Sequence, residues 1–195
     1  MFCPEALAEF DALLAEAIAG ADPEPTAMNL STVDARGRPH SRIVLLKGVG
    51  PNGLLFFTNY TSAKGEELAA NPHAALCLHW KHLREGVQVR MEGQVQTLPE
   101  ADSDTYFSTR PRGSQIGAWA SLQSQVLPER ADFEARIAQY EAEFAGRDVP
   151  RPPHWGGYLL RPDLIEFWYG AKFRLHERYR YEVIDGAWQK QLLYP

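Results

Sequence analysis

Near the C-terminus, cations recur at every second residue. Arg174, His176 and Arg178 alternate with apolar or acidic side chains in the segment 173–179. Successive side chains of a β-strand point to opposite faces, so the three would share one strand face. Fixed cations are seldom buried without an anionic partner. The spacing therefore predicts a strand face that is either solvated or placed beside an anionic ligand.

The segment just before these residues favours the second interpretation, a bound anionic ligand. Residues 164–170 contain Phe167, Trp168 and Tyr169 in succession. Flat apolar rings beside fixed cations form a pocket suited to a planar, anionic molecule. A solvated sheet edge is the alternative, because so short an alternation also arises without a ligand.

Two earlier segments carry groups that suit a phosphate. Residues 41–47 place a cation at each end of an apolar strand, although such ends can simply extend into water. Residues 58–64 cover the end of a predicted strand and the start of a predicted helix, and the last residue of this segment is Lys64. Free backbone N–H groups, a hydroxyl cap and this ammonium group would together bind a phosphate.

A fourth segment combines a phenol, a guanidinium and a hydroxyl. Tyr106, Arg110 and Ser114 recur every four residues, as they would on one helical face, although Pro111 opposes a continuous helix. A guanidinium bonds two phosphate oxygens at once and hydroxyls can bond the others. Gln123 and Ser124 follow shortly after and add neutral hydrogen-bonding groups.

Composition excludes several classes of protein. The 195 residues carry a net charge of −5, which argues against a general nucleic-acid binder. No stretch approaches the roughly 20 apolar residues of a membrane span, and the N-terminus lacks a secretory pattern, so we expect a cytoplasmic protein. His73, His79 and His82 have no second ligand cluster at a recognisable spacing, so we expect no metal site.

The hydrophobic patterning predicts a mainly β protein of the α+β class with peripheral helices. We expect the strands to form an antiparallel barrel. Residues 1–25 should form a helix and linker, residues 26–195 should form the barrel with its peripheral helices, and the whole chain should be one domain. The first three strands suggest an antiparallel meander. Strands are predicted at 28–33, 41–47, 54–59, 73–80, 87–98, 155–160, 164–168, 174–184 and 188–193, and helices at 4–20, 62–70, 99–106, around 116–119 and at 128–144.

Several long motifs in order make the chain resemble the pyridoxine (pyridoxamine) 5'-phosphate oxidase family from about Thr26 to the C-terminus. The most specific are Ile165–Trp168 with Arg174–Arg178, and Ser108–Trp119; Pro153–Gly157 also matches. The resemblance implies an FMN-binding split β-barrel and a homodimer with FMN where the subunits meet. It implies oxidation of pyridoxine or pyridoxamine 5'-phosphate to pyridoxal 5'-phosphate, with O2 as acceptor and release of H2O2.

The resemblance also implies roles for individual residues. Arg174 and His176 would be the catalytic pair and would orient the substrate ring. Substrate contacts would come from Lys47, Tyr106, Arg110, Ser114, Arg174 and His176. FMN contacts would come from Arg42, Ile43, Val44, Leu45, Leu46, Lys47, Phe57, Thr58, Lys64, Gln88, Gln123, Ser124, Trp168 and Arg178.

Three features depart from the pattern of the family. Ala63 stands where an Arg is usual, which removes a cation beside Lys64, and Leu192 replaces another Arg near the C-terminus. The basic, Tyr-containing segment that precedes the first helix in some members is absent. We expect the first change to weaken retention of FMN.

Two alternative functions stay open. A flavin oxidase of the same fold could act on another planar metabolite, such as a phenazine precursor, although four residues suited to a substrate phosphate argue against this. A non-catalytic binder of flavin or pyridoxal phosphate is the second alternative. The presence of both Arg174 and His176 argues against a mere carrier.

Overall fold

The computed structural model describes residues 1–20 and 22–195, so residue 21 of the predicted linker lies outside the described residues. Strands dominate the described part of the chain, and helices lie around them, as the patterning predicts. The strands are β1 Ala27–Val33, β2 Pro39–Leu45, β3 Gly48–Gly50, β4 Gly53–Asn59, β5 His73–Trp80, β6 Val87–Thr97, β7 Trp155–Tyr169, β8 Glu177–Ile184 and β9 Ala187–Leu193.

Local sequence signals explain the ends of two helices. The first has Pro4 in its first turn, where the missing N–H costs nothing, and is followed by Gly20. Ser62 caps the second by accepting a hydrogen bond from the Gly65 amide. The helices are α1 Pro4–Ala19, α2 Ala63–Ala70, α3 Glu100–Ser108, α4 Arg112–Ala120 and α5 Arg130–Glu143, with a short 3-10 helix at Lys172–Arg174.

All described strands belong to one antiparallel sheet in the order β2-β1-β5-β6-β7-β4-β3, with β8 on β7 and β9 on β8. The predicted meander of the first three strands is wrong beyond β1 and β2. Strand β4 pairs with β7 and with the short β3, and β1 takes β5 as its second neighbour. Local turns reveal which strands follow each other, whereas these pairings depend on contacts distant in sequence.

Strand β7 changes partner halfway along its length, which splits the barrel. Its first half pairs with β4 and its second half with β8, while β6 pairs with residues 158–169 on the other edge. Pro162 lies between the halves, opposite Gly93, where the register with β6 shifts. A Cβ at Gly93 would lie 2.1 Å from the Arg161 carbonyl oxygen, so only glycine fits this bulge. Two separately predicted strands are therefore one continuous strand.

The hairpin between β8 and β9 follows the predicted turn. Asp185 and Gly186 both have positive φ angles, 52° and 79°, as a two-residue hairpin requires. This turn sets the register in which Arg178 faces Leu193 and Val183 faces Trp188. The C-terminal residues are thereby held beside β8.

Helix α1 closes the main core over the sheet. Its residues Phe10 and Leu13 are fully buried against apolar side chains of the sheet, and the Phe10 ring lies 5.9 Å from that of Trp80. Polar contacts add to this packing, because Tyr181 donates a hydrogen bond to Glu5 and Tyr169 to Glu9. A second, smaller core lies among α3, α4, α5 and Trp155.

Within residues 1–20 and 22–195, no helix has the length and apolar character needed to cross a membrane. The same residues contain no group of three or more His, Cys, Asp or Glu side chains arranged to hold a metal ion.

The packing of α1 predicts the effect of a core deletion. Replacing Phe10 with Ala should lower the free energy of unfolding by about 3–5 kcal/mol, because a fully buried ring leaves a cavity. Urea denaturation at one fixed protein concentration measures this. The matched control on the same helix is Ile18→Ala, at an exposed position, which should change stability by less than about 0.5 kcal/mol. Equal effects of both substitutions would show that α1 is not part of the core.

Candidate functional site

The main candidate site is a cavity of about 540 Å³ beside the strands β2 and β4. Four cations, three hydroxyl-bearing side chains, Tyr106 and aromatic and aliphatic side chains surround it. The lining residues are Arg42, Ile43, Val44, Leu45, Lys47, Phe57, Thr58, Lys64, Tyr106, Thr109, Arg110, Pro111, Ser114, Gln123 and Trp155.

Lys64 brings a buried ammonium group to this cavity. It sits in the first turn of α2, is only 8% exposed, and donates hydrogen bonds to Gln123 Oε1 (2.8 Å), Thr58 Oγ1 and Ser62 Oγ (both 3.3 Å). No carboxylate of the described residues forms a salt bridge with it. Burial, together with the nearby charge of Arg42, lowers the pKa of Lys64. A buried cation with neutral partners at a helix start is a site for an anion.

Arg42, in contrast, has its own counter-charge. Its guanidinium donates to Thr32 and, at 3.1 Å, to the buried carboxylate of Glu67, which also contacts His40 at 2.5 Å. Burial alone would raise the pKa of Glu67, but the hydrogen bonds from Thr32, His40 and Arg42 outweigh it and lower that pKa. Glu67 was not identified from the sequence, although it lies one helical turn after Lys64.

Arg110 is a half-buried cation of the cavity that forms no salt bridge within the described residues. Its guanidinium lies 4.6 Å from the centre of the Trp155 ring and 5.5 Å from that of Phe107. The buried Nη1 atom has no hydrogen-bond partner among the residues that the structure describes. Burial lowers the pKa of this guanidinium. Aromatic faces therefore hold Arg110 while part of its hydrogen-bonding capacity stays unused.

Tyr106 and Ser114 flank Arg110 on the cavity wall. The Tyr106 ring stacks on Phe57 at 3.8 Å, and burial raises the pKa of the phenol, which therefore remains a donor at neutral pH. The three residues do not lie on one continuous helix, because α3 ends at Ser108 and α4 begins after Pro111. The break agrees with the effect of proline on a helix, and the helix pair still brings the three groups to one cavity.

A second group of predicted residues lies elsewhere on the sheet, and we call it the Trp168 cluster: Gln88, Trp168, His176 and Arg178. Gln88 and Arg178 are the register partners of Trp168 on β6 and β8. The His176 ring lies 4.4 Å from the Trp168 ring. None of these four residues lines the cavity.

The predicted strand face that would align Arg174, His176 and Arg178 is wrong. Strand β8 begins at Glu177, and the chain before it turns through a 3-10 helix in which Phe173 and Arg174 have φ angles of 59° and 66°. A chain that reverses between antiparallel strands needs such left-handed residues, which the alternation of side chains does not reveal. Arg174 is exposed on this turn, and the Ala171 amide donates to His176 Nδ1 at 3.1 Å.

The structure thus divides the predicted site residues into two main groups. Twelve line the cavity, whereas Leu46 is buried in the main core and Ser124 lines a neighbouring cavity. Trp155 and Trp168 mark the two groups at opposite ends of β7, about 40 Å apart along the strand at roughly 3.3 Å per residue. Trp155, Thr109 and Pro111 also line the cavity although sequence reasoning did not assign them. All three lie within the quoted motifs, which was the available signal.

Two family models cover most of the chain. Residues 14–144 match the one described as pyridoxamine 5'-phosphate oxidase. Residues 155–195 match the pyridoxine 5'-phosphate oxidase C-terminal dimerisation region. The Trp168 cluster residues on β7 and β8 therefore lie in the segment that resembles a dimerisation region.

Curated relatives agree with these matches over nearly their whole length. A pyridoxine/pyridoxamine 5'-phosphate oxidase of Xanthomonas euvesicatoria is 56% identical over 194 residues, which is 98% of this chain and 97% of the relative. One of Myxococcus xanthus is 48% identical over 195 residues, which is 100% of this chain and 94% of the relative.

Solved structures support the fold. PhzG from Burkholderia lata 383, in complex with tetrahydrophenazine-1-carboxylic acid, has a TM-score of 0.91 and 32% identity, with coverage of 100% of this chain and 98% of that one. A pyridoxamine 5'-phosphate oxidase-related, FMN binding protein of Nostoc punctiforme PCC 73102 has a TM-score of 0.77 and 18% identity over all of both chains. The predicted split-barrel fold is confirmed, and the sequence matches show that this chain belongs to the pyridoxamine 5'-phosphate oxidase family.

Proposed function

We propose that this protein is an FMN-dependent oxidase that converts pyridoxine or pyridoxamine 5'-phosphate to pyridoxal 5'-phosphate, with O2 as the electron acceptor and H2O2 as the second product. The main support is that one cavity contains the buried Lys64 and the half-buried Arg110, and neither cation forms a salt bridge within the described residues. FMN and the substrate each carry one phosphate. Two separate anion sites in one cavity match this pair of ligands.

The end of the cavity at α2 suits the phosphate of FMN. Lys64, Thr58 and the capping hydroxyl of Ser62 already form one hydrogen-bonded group at the helix start. Residues 42–47, at the end of β2 and just after it, would contact the rest of the flavin. Bound FMN would supply the hydride acceptor that the side chains lack.

Arg110 marks the proposed site of the substrate phosphate. Lys47, Tyr106 and Ser114 line the same cavity and would supply further hydrogen bonds. The free Nη1 of Arg110 would regain a partner. The phosphate itself takes no part in the oxidation. The binding energy gained at the phosphate would therefore serve to fix the position of the pyridine ring.

A second copy of the chain would complete each site. The Trp168 cluster lies beside the end of β7 that is remote from the cavity, and three of its residues, Trp168, His176 and Arg178, belong to the segment that resembles a dimerisation region. Exposed apolar side chains occur near both groups, as an interface between subunits would require. They include Ile43 and Leu45 at the cavity, and Phe173, Leu175 and Leu192 near the cluster.

His176 would act as a hydrogen-bond donor toward the substrate. Its Nδ1 accepts the hydrogen bond from Ala171, so the neutral imidazole carries its proton on Nε2. Arg174, exposed on the same turn, would add a fixed positive charge. Together they would orient the substrate ring without removing a proton from it.

A phenazine precursor is the second candidate substrate class, because PhzG shares the fold closely and its structure contains such a compound. A carboxylate could bind some of the donors near Arg110. The curated oxidase relatives are more similar in sequence than PhzG, at 48–56% against 32% identity, which supports the phosphorylated vitamin.

A direct assay separates these functions. The purified protein should show the visible spectrum of bound flavin and, in air, should produce aldehyde and peroxide from pyridoxine 5'-phosphate. Unphosphorylated pyridoxine is the matched control and should react poorly, because it leaves Arg110 unpaired. A protein that stays colourless with added FMN, or that oxidises a tetrahydrophenazine carboxylic acid in preference, contradicts the proposal.

Replacing Arg110 with Ala should lower kcat/KM for pyridoxine 5'-phosphate by about 30- to 1,000-fold, corresponding to roughly 2–4 kcal/mol for a broken buried charged hydrogen bond. The visible spectrum should show that FMN stays bound. Arg36→Ala, in an exposed turn, is the control and should leave the kinetics unchanged. Unchanged kinetics in the Arg110 variant would remove this residue from the phosphate site.

Replacing Lys64 with Met should weaken FMN binding to the apoprotein by about tenfold to a hundredfold, because a charge-assisted hydrogen bond to phosphate is lost. The same change should not lower the thermal midpoint of the apoprotein, since it removes a buried cation that forms no salt bridge within the described residues. Fluorescence titration and thermal unfolding measure the two effects. Lys81→Met, at an exposed position, is the control. Unaltered FMN affinity in the Lys64 variant would contradict its role.

A further inference from the structure

We propose that Glu166 is a positioning residue that orients Arg178 for contact with the flavin. The inference rests on the proposed function, because that function assigns Arg178 to the cofactor. Glu166 would not touch the ligand itself. It would act by holding the guanidinium of Arg178 in one orientation.

Glu166 is the only buried carboxylate among the described residues of β7. It is 3% exposed, and its register partners are Arg90 on β6 and Arg180 on β8. The carboxylate is shared between two neighbouring strands. Its Oε2 accepts a hydrogen bond from Arg90 Nη2 at 2.8 Å, while Oε1 lies 3.0 Å from Arg178 Nε and 2.9 Å from Arg178 Nη2.

These contacts fix the plane of the Arg178 guanidinium. Two of its nitrogens face Glu166, and the third, Nη1, donates to the Tyr194 carbonyl at 3.0 Å. A guanidinium has five N–H donors, and each terminal nitrogen has a second hydrogen that can still reach a ligand. Charge-assisted contacts on both sides leave the group little freedom to rotate.

The contact between Glu166 and Arg178 lies next to Trp168, which was also predicted to contact FMN. Arg178 is the register partner of Trp168, which lies two residues after Glu166 on the same face of β7. Arg90 holds the carboxylate from the opposite side and thereby prevents it from following Arg178 toward solvent. The other nearby carboxylates, Glu92 and Glu182, are partly exposed and face Arg90 and Arg180.

A double-mutant cycle tests this role. Apoproteins carrying Glu166→Gln, Arg178→Gln and both changes are titrated with FMN, and flavin fluorescence gives Kd. Each single change should raise Kd by about tenfold to a hundredfold, because either one removes the charged pair. If Glu166 acts through Arg178, the double variant should bind FMN no more weakly than Arg178→Gln alone. Glu182→Gln is the matched control on the same sheet face and should leave Kd unchanged.

Additive effects of the two substitutions would overturn the proposal, because a purely structural role of Glu166 would persist without Arg178. An unchanged Kd in Glu166→Gln would overturn it as well. Wild-type protein that fails to bind FMN would overturn the proposed function and this inference together. Thermal unfolding of each apoprotein checks folding. Should Glu166→Gln not fold, Glu166→Asp keeps the charge but shortens the side chain, and its effect on Kd must likewise vanish in the Arg178→Gln background.

Discussion

The length of β7 determines how far apart the two groups of predicted site residues lie in one chain. This strand places Trp155 in the wall of the cavity and Trp168 at its other end, and β6 pairs with it along nearly the whole distance. The two groups of predicted site residues therefore cannot be brought together by small movements of side chains. A ligand in the cavity would reach a Trp168 cluster only if another chain supplied it. The change of partner at Pro162 places β4 beside one end of the strand and β8 beside the other, so each group has its own neighbouring strand.

Some cations of the predicted site form salt bridges and others do not. Arg42 and Arg178 each contact a buried carboxylate, Glu67 and Glu166 respectively, which fixes the orientation of the guanidinium. The hydrogen-bond partners of Lys64 are neutral and the groups packed on Arg110 are aromatic, so neither cation forms a salt bridge within the described residues. Burial without a counter-charge costs stability, so these two positions are those at which an anionic ligand would contribute most. The paired arginines would bind less strongly but in a defined geometry.

Local sequence signals predicted most helices and strands but few of the pairings between strands. Pro4, Ser62 and the Asp185-Gly186 turn act through neighbouring backbone atoms, and the structure places them as expected. The partners of β4, and the left-handed turn at Phe173 and Arg174, depend on contacts remote in sequence, so periodicity missed them. Family resemblance gave most residues of the cavity. It did not reveal Glu67, which acts on another side chain, nor the distance that separates the Trp168 cluster from the cavity.

The most direct test of a site shared between two chains is complementation in hybrid dimers. One chain carries Arg110→Ala in the cavity, and the other carries Arg174→Ala with Arg178→Gln at the Trp168 cluster. Each variant alone should retain only a few per cent or less of the wild-type activity toward subsaturating pyridoxine 5'-phosphate. A hybrid purified through two different tags should recover about half of the wild-type activity, because one of its two sites combines an intact cavity with an intact cluster. A hybrid that assembles but remains inactive would show that both groups must come from the same chain, which contradicts the account.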